Sequence, residues 1–252
     1  MIRLPLLDAD LPGEFPAPRS ALTEPNGLLA FGGDLSAPRL LAAYSQGIFP
    51  WFGIGEPILW WSPDPRCVMH TDRLRINRSL RRQLAGKQWR LTVDLAFARV
   101  MRACAEPRDN DSTSWITPDM IDAYVHLHTM GYAHSVEVWE GQQLVGGIYG
   151  LAVGRLFCGE SMFSAQSGGS KLALIGLAQL LENMEFPLID TQVANDHTLS
   201  LGAEEIPRPA YLDQVTRLIA LPGRVGSWAQ LTPELMQPCS PRGGEIRDGP
   251  PD

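Results

Sequence analysis

The stretch AHSVEVWEGQQLVGGIYGLAVGRLFCGESMFS, residues 133–164, decides the fold. Two residue pairs that favour turns, Glu140-Gly141 and Gly154-Arg155, divide it into three runs rich in β-branched and aromatic residues. Neighbouring strands joined by turns this short pair in an antiparallel arrangement. The sequence therefore predicts a three-stranded meander over residues 133–139, 144–153 and 156–163.

Two further elements follow the meander. A helix is predicted from about Gly169 to Met184, and the apolar run Pro187–Val193 then predicts a buried strand. A meander, a helix and a strand beside the meander form the layout of an acetyltransferase-like fold. The predicted fold class is α/β (α+β), with a mixed sheet of the GNAT type. This prediction depends on the order of the elements and says nothing about chemistry.

Residues 1–62 predict a separate, small N-terminal α+β domain. They are rich in Pro and Gly and contain one clear helix, which begins at Ser36 and ends before Gly47, and a short apolar strand at 58–61. The acetyltransferase-like domain is then predicted over 63–235, and the polar, Pro/Gly-rich residues 236–252 predict a disordered tail. The other elements predicted for the acetyltransferase-like domain are a strand at 91–93 and helices at 77–84, 95–104, 117–130 and 211–219.

The composition indicates an ordinary soluble protein, with 44% apolar and 19% charged residues among 252. No apolar run reaches the ~18 residues that a membrane span needs, and no secretory signal is recognisable at the N-terminus. We therefore expect no membrane partner and a cytoplasmic location. The cysteines lack the spacing of a metal site, which predicts reduced thiols and no bound metal. They are Cys67, Cys104, Cys158 and Cys239.

The net charge of −7 argues against a general nucleic-acid binder, whose field is positive. The cations are unevenly distributed, because seven of the 21 basic residues lie within residues 73–90, where no acidic residue occurs. We interpret this segment as a local phosphate contact; the alternative is a solvated helix face. The residues predicted to contact phosphates are Arg75, Arg78, Arg81 and Arg82.

Two tryptophans lie in predicted loops, where a ligand contact is favoured over a place in the core. Trp51 follows Pro50 and precedes a Gly-rich turn, and Trp115 lies just before a helix cap at Thr117. An aromatic side chain stacks on a nucleobase without reading its identity. The two rings therefore predict a sandwich around one base, whereas Trp60, in an apolar strand, is expected in the core.

Polar side chains interrupt two of the predicted strands. Glu160 lies in the third meander strand, and an unpartnered carboxylate is costly there. Asp190 and Gln192 are two residues apart, so that period-two alternation gives them one face of their strand. The functional interpretation is an anionic site for a cationic substrate beside a polar pair. The alternatives are an edge-strand glutamate in water and a buried structural hydrogen bond.

Taken together, these stretches resemble the bacterial leucyl/phenylalanyl-tRNA–protein transferases. The matching strings occur in one order, cover most of residues 15–210 and leave out the first dozen residues and those beyond about 225. They are FPAPRSALTEPNGLLAFGGDLS (15–36), GIFPWF (47–52), ILWWSPDPRCVM (58–69), SWIT (114–117), AHSVEVWE (133–140), LVGGIYG (144–150), LFCGESMFS (156–164) and IDTQVANDHTLSLGAEEIPR (189–208).

The resemblance implies an enzyme that transfers Leu, Phe or Met from a charged tRNA to the N-terminal Arg or Lys of an acceptor protein, which marks that protein for degradation. It also implies that neither a cofactor nor acyl-CoA is used. The loop Gln166–Lys171 is consistent with the absence of acyl-CoA. It differs from the Q/R-x-x-G-x-G/A motif of acyl-CoA enzymes at the last position of the motif.

The resemblance implies a role for each residue of this sequence that matches a functional position of the family. Trp51 and Trp115 match the tryptophans that hold the terminal adenosine of the tRNA. Asp190 and Gln192 match the pair proposed to assist peptide-bond formation, and Glu160 matches an acidic residue of the active-site pocket. The side chain of the transferred amino acid is assigned to five apolar positions: Ile148, Phe157, Leu174, Leu177 and Ile189.

Two other functions fit part of the pattern. One is an aminoacyltransferase of the cell-wall type on the same fold, whose acceptor is a peptidoglycan precursor. The other is a protein that binds the end of a tRNA without chemistry. The Asp190/Gln192 pair argues against pure binding, because binding alone does not require it.

Overall fold

Eleven strands and seven α-helices form the part of the chain that the computed structural model describes, residues 4–106 and 114–232. The strands are β1 (Leu6–Leu7), β2 (Leu28–Gly32), β3 (Phe49–Pro50), β4 (Leu59–Trp61), β5 (Arg66–His70), β6 (Trp89–Val93), β7 (Ala133–Glu140), β8 (Gln143–Val153), β9 (Leu156–Ser164), β10 (Leu188–Gln192) and β11 (Glu204–Ile206). The helices are α1 (Ala37–Tyr44), α2 (Arg78–Leu84), α3 (Phe97–Ala105), α4 (Pro118–Thr129), α5 (Gly169–Asn183), α6 (Asp196–Ser200) and α7 (Arg208–Ile219).

The N-terminal strands form a small four-stranded sheet in the order β1-β2-β4-β3. The helix that precedes β3 lies where its end signals predict, since Ser36 is the N-cap residue of α1. The chain leaves this helix through Gly47, whose φ of 73° belongs to the left-handed region that glycine adopts without strain. Trp60 is fully buried, as expected.

The second sheet has seven strands in the order β11-β5-β10-β9-β8-β7-β6. Strands β6 to β9 pair with their neighbours antiparallel, which confirms the predicted meander. Strand β10 returns beside β9 and runs parallel to it, with Leu188, Ile189 and Asp190 opposite Leu156, Phe157 and Cys158. This parallel pair is short, and the cavities described below lie beyond its carboxyl end.

Helices cover both faces of the large sheet. The apolar face of α5 packs with strands β7 and β8 in one buried cluster. Helices α1, α3, α4 and α7 contribute to a second cluster, which also contains Trp60 of the small sheet and Tyr149 of the large one. The predicted class, a small α+β part followed by a mixed-sheet part, is confirmed. The predicted boundary between residues 62 and 63 lies between strands β4 and β5.

Six elements were not predicted: strands β1, β2 and β3 of the small sheet, strands β5 and β11, and helix α6. The three strands of the small sheet lie among Pro and Gly residues, which hide a strand pattern. The other three have individual reasons. Strand β5 begins with a buried arginine, Arg66, which conceals the apolar pattern of a strand. Helix α6 has only five residues, and its signal is a single cap, Asn195, whose side chain accepts from the backbone N–H of Thr198. Strand β11 contains Glu204 and Glu205, which are exposed and carry no strand signal. The predicted tail, residues 236–252, lies outside the described residues.

Candidate active site

The end of strand β10 is irregular, and this irregularity positions Gln192. Asp190 is opposite Val68 of strand β5, but Gln192 is opposite the adjacent Cys67, so that Thr191 is an extra residue in the ladder. Gln192 itself has a φ of 64°. A bulge of this kind re-aims the side chain that follows it. The alternation assumed from the sequence therefore does not continue through Gln192.

Asp190 is fully buried beneath the site and is paired with Arg66. The guanidinium donates two hydrogen bonds, from Nε to Oδ1 at 2.8 Å and from Nη2 to Oδ2 at 2.6 Å. Tyr211 Oη donates to Oδ2 at 2.7 Å, and the backbone N–H of Gln192 donates to Oδ1 at 3.0 Å. Asp190 thus holds the backbone of Gln192, whereas the strand face predicted to be shared by the two residues would have placed their side chains together.

The side chain of Gln192 is held by Glu160. Its Nε2 donates to Glu160 Oε1 at 2.9 Å, and Tyr44 Oη donates to the same oxygen at 2.7 Å. Tyr124 Oη donates to Glu160 Oε2 at 3.3 Å and also contacts Tyr44 Oη. Burial raises the pKa of Glu160 to about 7, although the hydrogen bonds from the two phenols and Gln192 oppose the rise.

Both protonation states of Glu160 are compatible with its contacts to Tyr44 and Tyr124. The ionised carboxylate accepts a hydrogen bond from each phenol. The protonated carboxyl group can instead donate from Oε2 to Tyr124, which then donates to Tyr44. With a pKa of about 7, the two forms coexist at neutral pH.

Four of the residues predicted for the site line one cavity of about 180 Å³: Trp51, Trp115, Glu160 and Gln192. Trp51 is 43% exposed and supports its loop through its backbone carbonyl, which accepts from Trp61 Nε1 at 2.7 Å. Asp190 lies behind this cavity and is absent from its lining. The lining therefore combines two aromatic side chains with hydrogen-bonding groups.

A larger cavity of about 960 Å³ shares Glu160 and Asn195 with the first. It is lined by helix α3, the end of strand β9 and the first turn of helix α5. Its cations are Arg99, Arg102 and Lys171. The two cavities therefore meet at Glu160.

Comparison with known proteins identifies the family. A model described as leucyl/phenylalanyl-tRNA protein transferase matches residues 68–216, and a model of the N-terminal domain of the same transferase matches residues 33–64. This chain belongs to the leucyl/phenylalanyl-tRNA–protein transferase family. It is therefore an enzyme of the transferase class.

Relatives that carry this family name match nearly the whole chain. The protein of Xanthomonas axonopodis pv. citri (strain 306) is 54% identical over 225 residues, which cover 89% of this chain and 90% of the relative. That of Xylella fastidiosa (strain M12) is 54% identical over 223 residues, or 88% and 91% of the two chains. Among solved structures, L-PGS from Bacillus licheniformis matches 76% of this chain and 73% of its own, with a TM-score of 0.41 and 10% identity.

The five residues predicted to surround the transferred side chain share one buried cluster between helix α5 and the large sheet. All are closely packed, and none of them lines either of the two cavities. Their role in this member of the family stays a prediction. They are Ile148, Phe157, Leu174, Leu177 and Ile189.

The four arginines predicted to contact phosphates are exposed on or just before helix α2. Asn77 caps this helix by accepting from the backbone N–H of Leu80 at 2.8 Å. Gln83, on the same helix, lines the larger cavity and donates to Ser167 Oγ at 2.7 Å. The basic helix therefore borders the larger cavity. The four arginines are Arg75, Arg78, Arg81 and Arg82.

Sequence reasoning missed four residues that hold the site together: Tyr44, Arg66, Tyr124 and Tyr211. Three of them lie on helices, α1, α4 and α7, where a tyrosine looks like an ordinary core residue. All four are fully buried with their polar atoms directed at Glu160 or Asp190. The available signal was indirect: two carboxylates in apolar strands require partners, and Arg66 lies in one of the matching strings.

Proposed function

We propose that this enzyme transfers leucine, phenylalanine or methionine from charged tRNA to the N-terminal arginine or lysine of acceptor proteins. The observation that carries the proposal is the cavity in which Trp51, Trp115, Gln192 and Glu160 meet. It combines surfaces for a nucleobase with acceptors for an amine. Family membership supplies the reaction class, and the following paragraphs assign roles to the residues.

Trp51 and Trp115 hold the terminal adenosine in this proposal. Both rings line the small cavity, and Trp51 is partly exposed there, with the ring of Trp61 tilted against it at a centroid distance of 5.7 Å. Stacking a base on an aromatic ring contributes ~1–3 kcal/mol. An adenosine in this position directs the aminoacyl ester on its ribose toward Gln192 and Glu160.

The reaction is the aminolysis of an ester. The neutral amine of the acceptor attacks the carbonyl carbon, a C–N bond forms, and the C–O bond to the ribose breaks. The amine gives up one proton, and the ribose oxygen gains one. An N-terminal amine has an ordinary pKa near ~7.7–8, so a useful neutral fraction exists at neutral pH. The main task of the enzyme is then to align amine and ester.

Gln192 aligns the amine in this scheme. Because its Nε2 donates to Glu160, its Oε1 is left to accept a hydrogen bond from the attacking nitrogen. Asp190 acts indirectly, through Gln192. Its carboxylate accepts a hydrogen bond from the backbone N–H of Gln192 and so fixes the bulge. Asp190 is therefore a positioning residue, and Arg66 and Tyr211 keep its charge satisfied.

Glu160 recognises the cationic acceptor. An incoming arginine or lysine side chain stabilises the ionised carboxylate, which burial otherwise disfavours. Binding of the acceptor therefore favours the ionised form of Glu160, and the proton of the carboxyl group is released to solvent.

The transferred side chain is assigned by the family resemblance to the apolar cluster that includes Phe157 and Ile189. The apolar character of the cluster is compatible with Leu, Phe and Met. Because the cluster is closely packed and lines neither cavity, entry of the side chain requires local rearrangement. A hydrophobic pocket discriminates among such groups by only ~1–3 kcal/mol per methylene.

The start of helix α5 supports the proposal that acyl-CoA is not used. In acyl-CoA enzymes the amides at this position bind pyrophosphate. Here the N–H of Ser170 donates to Ser164 Oγ at 2.7 Å. A Cβ on Gly146 would meet the backbone of Gly169 at 2.4 Å, so the turn is packed directly on strand β8. The proposal includes no cofactor, a cytoplasmic location and degradation of the modified acceptors; these three points rest on the family resemblance.

A transfer assay tests the proposed function. Labelled phenylalanine on tRNA is incubated with peptides that differ only in their first residue, Arg, Lys or Glu, and with an N-acetylated Arg peptide. We expect transfer to the Arg and Lys peptides alone. Transfer to a peptidoglycan precursor in preference to these peptides, or binding of the tRNA without transfer, would contradict the proposal.

No helix in the described part of the chain combines the length and apolar character that crossing a membrane requires. Within residues 4–106 and 114–232, His, Cys, Asp and Glu form no group of three or more that suits a metal ion.

A further inference from the structure

The larger cavity has a chemistry that the transfer reaction itself does not explain. Three cationic side chains line it, Arg99 and Arg102 from helix α3 and Lys171 from the first turn of helix α5. Its acidic side chains are Glu106 and Glu160, and Glu160 belongs to the network of phenols. Its volume of about 960 Å³ lies at the upper end of the ~300–1,000 Å³ of ligand sites.

Two of these cations are available to a ligand. Among the described residues, Arg102 and Lys171 form no ion pair within 4.0 Å, although Glu106 lines the same cavity. Arg99 is exposed and lies over the ring of Trp139 at 4.9 Å, a cation–π contact that does not use the hydrogen-bonding capacity of its N–H groups. Serine hydroxyls supply further hydrogen-bond donors along the wall, among them Ser161 and Ser167.

The position of the cavity narrows the choice of ligand. One end meets the small cavity at Glu160 and Asn195, and the other is bordered by helix α2 through Gln83. Exposed arginines continue along that helix, including Arg78 and Arg82. The helix that carries these exposed arginines therefore borders a cavity that is itself lined by cations.

We propose that this cavity binds the phosphodiester groups of the single-stranded 3′ end that precedes the terminal adenosine, with Arg99, Arg102 and Lys171 as the phosphate ligands. The inference rests on the proposed function, and it adds a site to the adenosine site and to the cations of helix α2. In this arrangement helix α2 faces the acceptor stem, the larger cavity takes the two cytidines, and the small cavity takes the adenosine.

The charge of the cavity argues against the alternative that it guides the acceptor polypeptide. The proposed acceptors begin with arginine or lysine. The wall carries three cations against two acidic groups, Glu106 and Glu160, and its net positive charge repels such a chain. The acceptor is therefore expected to reach Glu160 from another side. An acidic RNA strand gains from the same three cations, and its binding releases counterions.

The test compares three donor substrates of increasing length: phenylalanyl-adenosine, the phenylalanyl-CCA trinucleotide and phenylalanyl-tRNA. The first has no phosphate, and the second adds two phosphodiester groups. The proteins are the native chain, Arg102→Gln, Arg99→Gln/Arg102→Gln and Lys171→Gln. Arg217→Gln is the matched control, because this exposed arginine lies on helix α7 and lines neither cavity. Thermal unfolding of each variant verifies that the fold is retained.

In the native chain, kcat/KM is expected to rise from the adenosine to the trinucleotide substrate. In the double variant, kcat/KM for the trinucleotide substrate should be roughly three- to tenfold lower than in the native chain, since two exposed ion pairs with the phosphates are removed. Its activity with phenylalanyl-adenosine and its KM for the acceptor peptide should match those of the control. Its salt dependence should weaken by a slope of about 0.7 per lost phosphate contact.

Three results would overturn the proposal: a rise in kcat/KM that persists in the double variant, equal losses with and without phosphates, or an increase in the KM for the acceptor peptide. The third would make the cavity the acceptor's path. Failure of the proposed function is distinguishable, because the native chain would then transfer nothing even from phenylalanyl-tRNA.

Discussion

Glu160 is hydrogen-bonded to two phenols, and within the described structure no arginine or lysine forms an ion pair with it. Its raised pKa of about 7, caused by burial, places its ionisation in the range where an N-terminal amine also titrates. The two titrations affect different steps. In the proposed function, ionised Glu160 binds the cationic acceptor, whereas the neutral amine reacts.

Glu160→Gln should therefore change how acceptor binding depends on pH. In the native enzyme, the KM for an Arg-starting peptide should fall as pH rises through about 7, because the carboxylate forms. In the variant, KM should be higher and independent of pH between 6 and 8. Its kcat should still rise with pH as the neutral fraction of the acceptor's N-terminal amine increases. Steady-state kinetics at several pH values measure both quantities.

The control for this prediction is Glu140→Gln, since Glu140 is exposed at the end of strand β7 and lines neither cavity. A KM that retains its native pH dependence in Glu160→Gln would show that another group binds the acceptor.

Asp190 illustrates how a conspicuous polar residue can act through structure. Its carboxylate and the Arg66 guanidinium are both fully buried. Asp190→Ala leaves an unpaired cation in the core, which should lower the free energy of unfolding by about 3–5 kcal/mol. Gln192→Ala removes a partly exposed side chain and should cost less than about 1 kcal/mol. Urea unfolding of the two variants measures the difference.

The double variant Arg66→Met/Asp190→Leu separates stability from positioning. It should recover most of the lost stability, because apolar pairs replace buried ion pairs at little cost. Its transfer activity should remain low, since the backbone of Gln192 has lost its acceptor. Full activity in this variant would contradict the positioning role of Asp190.

At the scale of elements, the site depends on helix α1 of the small N-terminal part. This helix carries Tyr44 into the core, where its hydroxyl donates to Glu160 at 2.7 Å. Helix α4 of the larger part supplies Tyr124 to the same carboxyl group. The carboxyl group is thus held by elements from both parts of the chain.

Tyr44→Phe should keep the packing of helix α1 and remove one hydrogen bond to Glu160. That bond lowers the pKa of the carboxyl group, so its loss should raise the pKa further. At pH 7 the KM for an Arg-starting peptide should therefore increase, and at pH 8.5 it should approach the native value. A pH profile of KM tests this; a KM that is raised equally at both pH values would indicate damage to packing instead.

The individual elements also show which parts of the fold and of the site could be predicted from the sequence. The meander, helix α5 and strand β10 were predictable because turn residues and apolar periodicity mark them locally. The bulge at Thr191 was not, because period-two alternation assumes an unbroken ladder. Trp51, Trp115, Glu160 and Gln192 could be predicted together through the family resemblance. The residues that hold them in place, such as Tyr44 and Tyr124, could not be predicted. A tyrosine on an amphipathic helix gives the same sequence pattern whether or not its hydroxyl group is hydrogen-bonded to a carboxylate.

At the scale of the whole molecule, an acidic protein presents a basic path to its substrate. The net charge is −7, yet helix α2 and the larger cavity concentrate cations on one side of the site. The remaining surface is acidic and repels nucleic acid in other orientations. We therefore propose that this charge distribution orients the tRNA before its end enters the cavity.

Arg81→Glu/Arg82→Glu should raise the KM for charged tRNA and leave phenylalanyl-adenosine unaffected. Each lost phosphate contact should reduce the slope of log affinity against log salt by about 1. Both side chains are exposed on helix α2, so the fold should be retained. Equal losses with the two substrates would indicate misfolding or a role other than phosphate binding.

The central claim is that aminoacyl transfer takes place in the cavity shared by Trp51, Trp115, Gln192 and Glu160. The most direct test is single-turnover transfer from phenylalanyl-adenosine, measured for Trp51→Ala, Trp115→Ala and, as a control, Trp89→Ala, whose ring lines neither cavity. Loss of a stacking contact should weaken use of the donor by about five- to 150-fold in each of the first two variants. The control should behave like the native enzyme. Native activity in both cavity variants, with the fold intact, would contradict the claim.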